Sequence, residues 1–143
     1  MNARTRFPGF PLFDTAERIH EQSDLELYPD LRVALATLPI DPQSAHEDFE
    51  TSRRFLEKYS DVSGTYNRFR SEIQRFLNYT WLIARRHLPQ ADSELVSSYF
   101  AFIKTPPASW ISSGIYPAFR SQNDQRRSNP DWRPMAHRAR AGA

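Results

Sequence analysis

With 143 residues, 39% hydrophobic and 25% charged, the chain fits one domain, or a domain with ragged ends, whose core leaves part of the sequence outside it. It contains no cysteine, which excludes disulfides, thiolate zinc sites and cysteine nucleophiles, and no apolar run approaches the roughly 20 residues that span a bilayer. The net charge of +2 conceals a division: residues 1–60 hold 7 Lys/Arg and 11 Asp/Glu, a net of −4, whereas residues 61–143 hold 12 and 6, a net of +6.

Residues 1–43 read as a partly helical leader. The first 13 have no continuous apolar stretch of signal-peptide type, so a cytoplasmic protein without a membrane partner is expected. Phe-Pro-Gly-Phe-Pro at 7–11 precedes a short amphipathic stretch over 14–22 and an apolar one over 31–38. Pro39 and Pro42 then disfavour helix and mark a boundary.

Residues 44–104 form the predicted helical body. Ser44 with Glu47 has the spacing of a capping box, and Phe49, Ser52, Phe55 and Leu56 recur at helical spacing behind it. The acidic neighbours Glu47 and Asp48 read as a helix start rather than an acid/base pair. A turn at 60–63 leads to the longest periodic segment, 64–86, with Ser63 as its expected N-cap. There Tyr66, Phe69, Ile73, Phe76, Leu77, Thr80 and Ala84 share one face at about 100° per residue. Arg68, Arg75 and Arg86 lie on the other, with Asn67, Ser71, Asn78 and Arg85 nearby. Pro89 is expected to end this helix, and Asp92 to cap a further one over 93–104, which carries Leu95, Tyr99, Phe102 and Ile103. No strand-like alternation is evident, so the expected class is all-α, a small helical bundle.

Residues 105–143 form a Trp/Pro-rich arm and tail. Trp110, Ile111, Ile115, Tyr116, Phe119 and Trp132 are large apolar anchors separated by Ser, Pro, Asn and Arg. Such a segment is expected to lie extended over a body and insert its rings into it. Only Lys58 and Lys104 are lysines; the other basic residues are arginines, which fork phosphates bidentately and stack on bases. A basic, arginine-rich second half points to nucleic acid, against the plainer reading of charge segregation in an arginine-rich composition.

One stretch carries a resemblance. Phe55-Leu56-x2-Tyr59-x3-Ser63-x-Thr65-Tyr66-x2-Phe69-Arg70-x-Glu72-Ile73-x-Arg75-Phe76-Leu77 resembles the N-terminal, SAM-like core-binding domain of tyrosine recombinases, the phage integrase family. There a Ser-x-Thr turn opens a helix bearing Tyr-Arg-x-Glu-Ile-x-Arg-Phe-Leu or a close variant; here Phe69 separates Arg68 from Arg70. Asp92-Ser93-Glu94-Leu95-Val96-x2-Tyr99 resembles the next family helix. Ser109-Trp110-Ile111 and Asn129-Pro130-Asp131-Trp132-Arg133-Pro134 resemble an insertion of one bacterial subgroup. The likeness covers about residues 49–135. It implies a four-helix module that clamps one face of double-stranded DNA while a separate C-terminal domain does the chemistry. By that resemblance Thr65, Arg68, Arg70 and Arg75 approach the duplex. The helical angles agree for Arg68 and Arg75, place Arg70 near the apolar face, and add Arg85 and Arg86 to the DNA-binding set.

The resemblance implies an incomplete bundle, truncated before the catalytic domain, and hence a chain that is not itself an enzyme. Family catalysis uses cationic donors and a tyrosine nucleophile in that second domain. His137-Arg138-Ala139-Arg140 matches the family's His-x-x-Arg, but lies three residues from the terminus with no tyrosine after it, and reads as chance. Histidines 20, 46, 87 and 137 are scattered without metal-ligand spacing, and there is no Gly-rich phosphate loop, so neither a cofactor, a metal nor a small-molecule substrate is expected. The alternative is a helical protein-interaction or self-association module that docks a partner, or a second copy, on its apolar face.

Overall fold

The computed structural model describes residues 7–136. Among them are four α-helices, several single 3-10 turns and one two-stranded antiparallel hairpin. Helix α1 spans Pro29–Ala36 and begins on a proline, whose fixed φ and missing N–H suit the first helical position. Helix α2, Pro42–Glu57, also opens on a proline, and Asp41 caps it by accepting a hydrogen bond from the Ser44 amide at 3.0 Å. The expected cap at Ser44 is therefore corrected. Pro42 does not block the helix but starts it, because Asp41 satisfies the amide left free in the first turn.

Helix α3 runs Ser63–Leu82, and α4 runs Ser93–Lys104 with Asp92 capping it through the Leu95 amide at 2.9 Å. The residue before α3 is Val62, which makes no side-chain cap, so Ser63 sits inside the helix rather than at its cap. The helix ends at Leu82, well before Pro89. There the Ile83 and Ala84 amides both return to the Tyr79 carbonyl, and Arg85 turns left-handed at φ 57°.

Residues 7–13 run extended across α3 and are held by two buried amides. Gln74 Oε1 accepts from the Leu12 and Phe13 amides at 2.7 and 3.0 Å. The Asn78 side chain accepts from the Phe10 amide at 3.2 Å and donates to the Phe10 carbonyl at 3.1 Å. Backbone groups that pass through a core without strand partners need such acceptors, and α3 provides them. Asn78 was expected near the arginine face; it is fully buried instead.

Two apolar clusters follow. The larger joins Leu12, Phe13, Tyr28, Leu31, Phe49, Leu56, Tyr66, Leu77, Trp81 and Phe119, so α1, α2, α3, the N-terminal segment and the hairpin share it. The smaller joins Phe7, Tyr79, Leu95, Tyr99, Trp110 and Met135. Trp110 meets Phe7 and Phe102 edge-on at 5.0 and 4.8 Å, geometries that add about 0.5–1.5 kcal/mol per pair beyond area burial. The arm thus lies over the helical body with Trp110 and Phe119 buried, and one parallel bridge between Ile111 and Met135 closes it; Ile115 and Tyr116, expected as anchors, are instead exposed, Ile115 almost completely.

The hairpin corrects the all-α expectation. Strand β1, Phe119–Gln122, pairs with β2, Gln125–Ser128, through a turn in which Asn123 and Asp124 take φ of 53° and 63°. Two left-handed central residues define the type I′ turn that matches strand twist, and Asn and Asp tolerate it. Apolar alternation is missing because only Phe119 is buried. Packing of Phe119 edge-on against Tyr28 at 5.2 Å, and the ion pairs described below, replace it.

Candidate nucleic-acid interface

The charge division of the sequence is partly closed by the fold. Arg126 binds both carboxylate oxygens of Asp14 at 2.9 and 2.8 Å, and Arg127 binds both of Asp30 at 2.9 Å. Asp14 is buried and also accepts from the Tyr28 hydroxyl at 2.7 Å and the Thr15 amide at 2.8 Å. Burial alone would raise its carboxyl, but the Arg126 fork, the Tyr28 hydroxyl and the Thr15 amide outweigh burial and hold it below the usual carboxylate range. Burial, and then the Asp14 carboxylate, push the Tyr28 phenol upward. The Arg127 fork likewise lowers Asp30, which accepts from the Ser128 amide as well. Two arginines of the basic half are therefore engaged in anchoring β2 to the acidic half.

The arginines of α3 separate into different environments. Arg68 is exposed and makes no ion pair among the described residues. Arg70 is half-buried, with its guanidinium 5.7 Å from the centre of the Tyr66 ring. Arg75 is also half-buried, pairs with Glu72 at 3.2 Å, and its Nε is buried without an acceptor. Thr65 is half-buried in the first turn of α3. Arg85 and Arg86 lie beyond the helix, both exposed, in the left-handed turn whose Arg86 amide returns to the Thr80 carbonyl at 2.9 Å.

That turn is held from below. Asp48, buried in α2, accepts from Trp81 Nε1 and from the Leu88 amide, both at 2.9 Å. The sequence placed Asp48 at a helix start; it lies mid-helix and ties α2 to both sides of the Arg85 turn. Arg70 and Arg75 meet Arg126 and Arg133 around a cleft of about 830 Å³, which Ile115, Tyr116 and Trp132 also line. Arg68, Arg85 and Arg86 do not line this cleft. The His137–Arg140 motif lies outside the described residues.

No family model, curated protein or solved structure matches this chain. Among the described residues no group of three or more His, Asp or Glu is placed to hold a metal ion, and no helix is long and apolar enough to cross a membrane.

The buried roles of Asp48, read as part of a helix start, and of Asn78, placed near the arginine face, were not legible in the sequence, and nothing there singled out Gln74. The hairpin face described below was missed as well. Its one legible signal was Asn123-Asp124, a dipeptide suited to a tight turn.

Proposed function

We propose that this chain is a small helical DNA-binding module of the tyrosine recombinase core-binding type, which contacts duplex DNA mainly through phosphates and cleaves no strand itself. The observation that carries the reading is the Arg85–Arg86 turn. A helix end that turns left-handed favours glycine or asparagine; here an arginine occupies it, beside a second exposed arginine, on a base fixed by Asp48. Strained backbone that presents a charge fits a contact surface. The structural alternative is that cations complement the negative end of the α3 dipole, worth about 0.3–1 kcal/mol, which does not require the strained position. Arg68 and Thr65 extend the phosphate-contacting set along α3, while Arg70 and Arg75 contribute from the cleft, where each already has a partner.

Anisotropy titration of the full chain on random duplex DNA tests this. Phosphate contacts make log K fall linearly with log salt by about 0.9 per contact, so Arg68→Ala/Arg86→Ala should flatten the slope by about 2. An unchanged slope removes this face from the reading. No strand cleavage and no covalent protein–DNA adduct is expected from the chain.

A second reading, self-association or protein docking, has its own observation. Phe55, Tyr59 and Phe69 form a ring cluster with centroids 5.1–5.4 Å apart where α2 hands over to α3. Phe55 is 38% exposed, and Val62 in the intervening turn is 50% exposed. A stable oligomer in sedimentation, dissolved by Phe55→Ser and indifferent to DNA, would favour it.

A further inference from the structure

The hairpin is an odd structure for its sequence. An isolated two-stranded ribbon is marginal in water, and apart from Phe119 its strands contain none of the β-branched or aromatic residues that favour strands. Its register places Arg120 opposite Arg127 and Gln122 opposite Gln125. Side chains alternate, so these four share one face, while Phe119, Ser121, Arg126 and Ser128 share the other. The second face is committed to the fold: Phe119 is buried, and Arg126 donates to Asp14 and to Ser121 Oγ at 3.0 Å.

The first face is not explained by stability. Like charges directly opposite each other destabilise a strand pair. Arg127 is neutralised by Asp30 yet keeps 43% of its side chain exposed. Arg120 is exposed and, among the described residues, its side chain donates one long hydrogen bond, to Asn129 Oδ1 at 3.4 Å. Gln122 is exposed and Gln125 half-exposed. The face therefore offers the guanidinium fork of Arg120, the Nη1 edge of Arg127 left over by its Nε and Nη2 bonds to Asp30, and two amides, in two cross-strand rows on a ribbon that narrows to a two-residue turn.

We infer that this hairpin is a base-reading ribbon that enters the major groove of duplex DNA, with Arg120, Arg127, Gln122 and Gln125 as its reading residues. The inference rests on the DNA-binding reading above and adds sequence recognition to it. The major groove, about 12 Å wide, admits a two-stranded ribbon; guanidinium forks pair bidentately with guanine O6 and N7, and glutamine amides with adenine N6 and N7. Arg120 supplies the uncompensated positive charge of the face, and the Asp30 carboxylate, bound to Nε and Nη2 of Arg127, fixes that guanidinium with its Nη1 edge free of the pair. The α3 and Arg85–Arg86 guanidiniums position the chain; the hairpin discriminates among sequences.

The experiment is selection from a randomised duplex pool with the full chain, followed by anisotropy on the enriched and random duplexes. The wild type should enrich a short consensus containing guanine and adenine. Gln122→Ala should bind random duplex within about twofold of wild type while losing about 5- to 150-fold of its discrimination, the worth of one bidentate pair. Arg120→Lys, which keeps the charge but not the fork, should lose discrimination in the same way. Both variants alter surface side chains only, and circular dichroism verifies that they fold. If the wild type binds duplex without enriching any sequence, or both variants keep its consensus, the ribbon inference fails and the phosphate-binding reading stands. If no duplex is bound at low salt, both fail.

Discussion

Arg126 reaches both carboxylate oxygens of Asp14, at 2.9 and 2.8 Å, across 112 residues of sequence. The pair is sheltered: 14% of the arginine side chain and 2% of the aspartate side chain are exposed. Tyr28 donates to the same carboxylate, and the Tyr66 hydroxyl donates to the Asp14 carbonyl, so one residue joins the hairpin, the segment before α1 and helix α3. Removing it strands a guanidinium and a phenol. Asp14→Ala should therefore cost about 3–5 kcal/mol of unfolding free energy, the range for breaking a buried pair from one side. Urea denaturation measures it, and a loss below about 1 kcal/mol would show that the pair does not dock the hairpin.

The same carboxylates set the acid limit of the fold. Asp14 and Asp30 both titrate lower in the folded chain than in the unfolded one, whose aspartates titrate near about 3.9. The stability they contribute is complete above that value and is lost as pH falls through their folded pKa values. Their arginine partners stay charged throughout. Urea midpoints should thus hold level from about pH 7 to 5 and drop below about pH 4, and Asp14→Asn should shallow that drop while lowering the plateau. Tyr28 and Tyr66, both raised by burial, act at the other end: stability is intact below about pH 10 and declines above it.

Gly9 lets the N-terminal segment cross α3. A Cβ there would lie 2.0 Å from Asn78 Oδ1 and 2.5 Å from Phe7 Cζ. Asn78 cannot swing aside without losing its bonds to the Phe10 amide and carbonyl. Gly9→Ala should destabilise by about 1–3 kcal/mol, the usual cost of overpacking, and Gly9→Ala/Asn78→Ala should recover part of the steric component. Additive losses in thermal melts of the two single variants and the double would contradict a shared contact.

The main helices were legible because their signals are local. The apolar spacing of Tyr66, Ile73 and Leu77 and the cap at Asp92 need no tertiary context. Elsewhere a long-range partner decided the outcome. Gln74 and Asn78 look like surface amides until an extended backbone lies across them. Arg126 looks like a polyanion contact until Asp14 arrives from the other end of the chain. The hairpin carries no apolar alternation because its inner face is held by one ring and an arginine fork. Thr65, Arg68 and Arg75 could be placed on α3 by counting, but the pairing of Arg75 with Glu72 and the end of the helix at Leu82 could not.

Arg85 offers the sharpest separation of stability from function. At φ 57° a side chain crowds its own backbone, and glycine does not. If Arg85 served the fold alone, through the α3 dipole, its replacement by glycine would be neutral or harmful to stability and would leave DNA affinity unchanged. The proposed phosphate contact requires the opposite pairing of effects. Arg85→Gly should raise unfolding free energy by up to about 1 kcal/mol, by relieving the left-handed strain, while weakening duplex binding and flattening its salt slope by about 1. Arg85→Ala should weaken binding equally without the gain in stability, because it keeps the Cβ. Parallel urea and anisotropy titrations of the two variants decide the matter, and a glycine variant that binds as tightly as wild type would assign the residue to the fold.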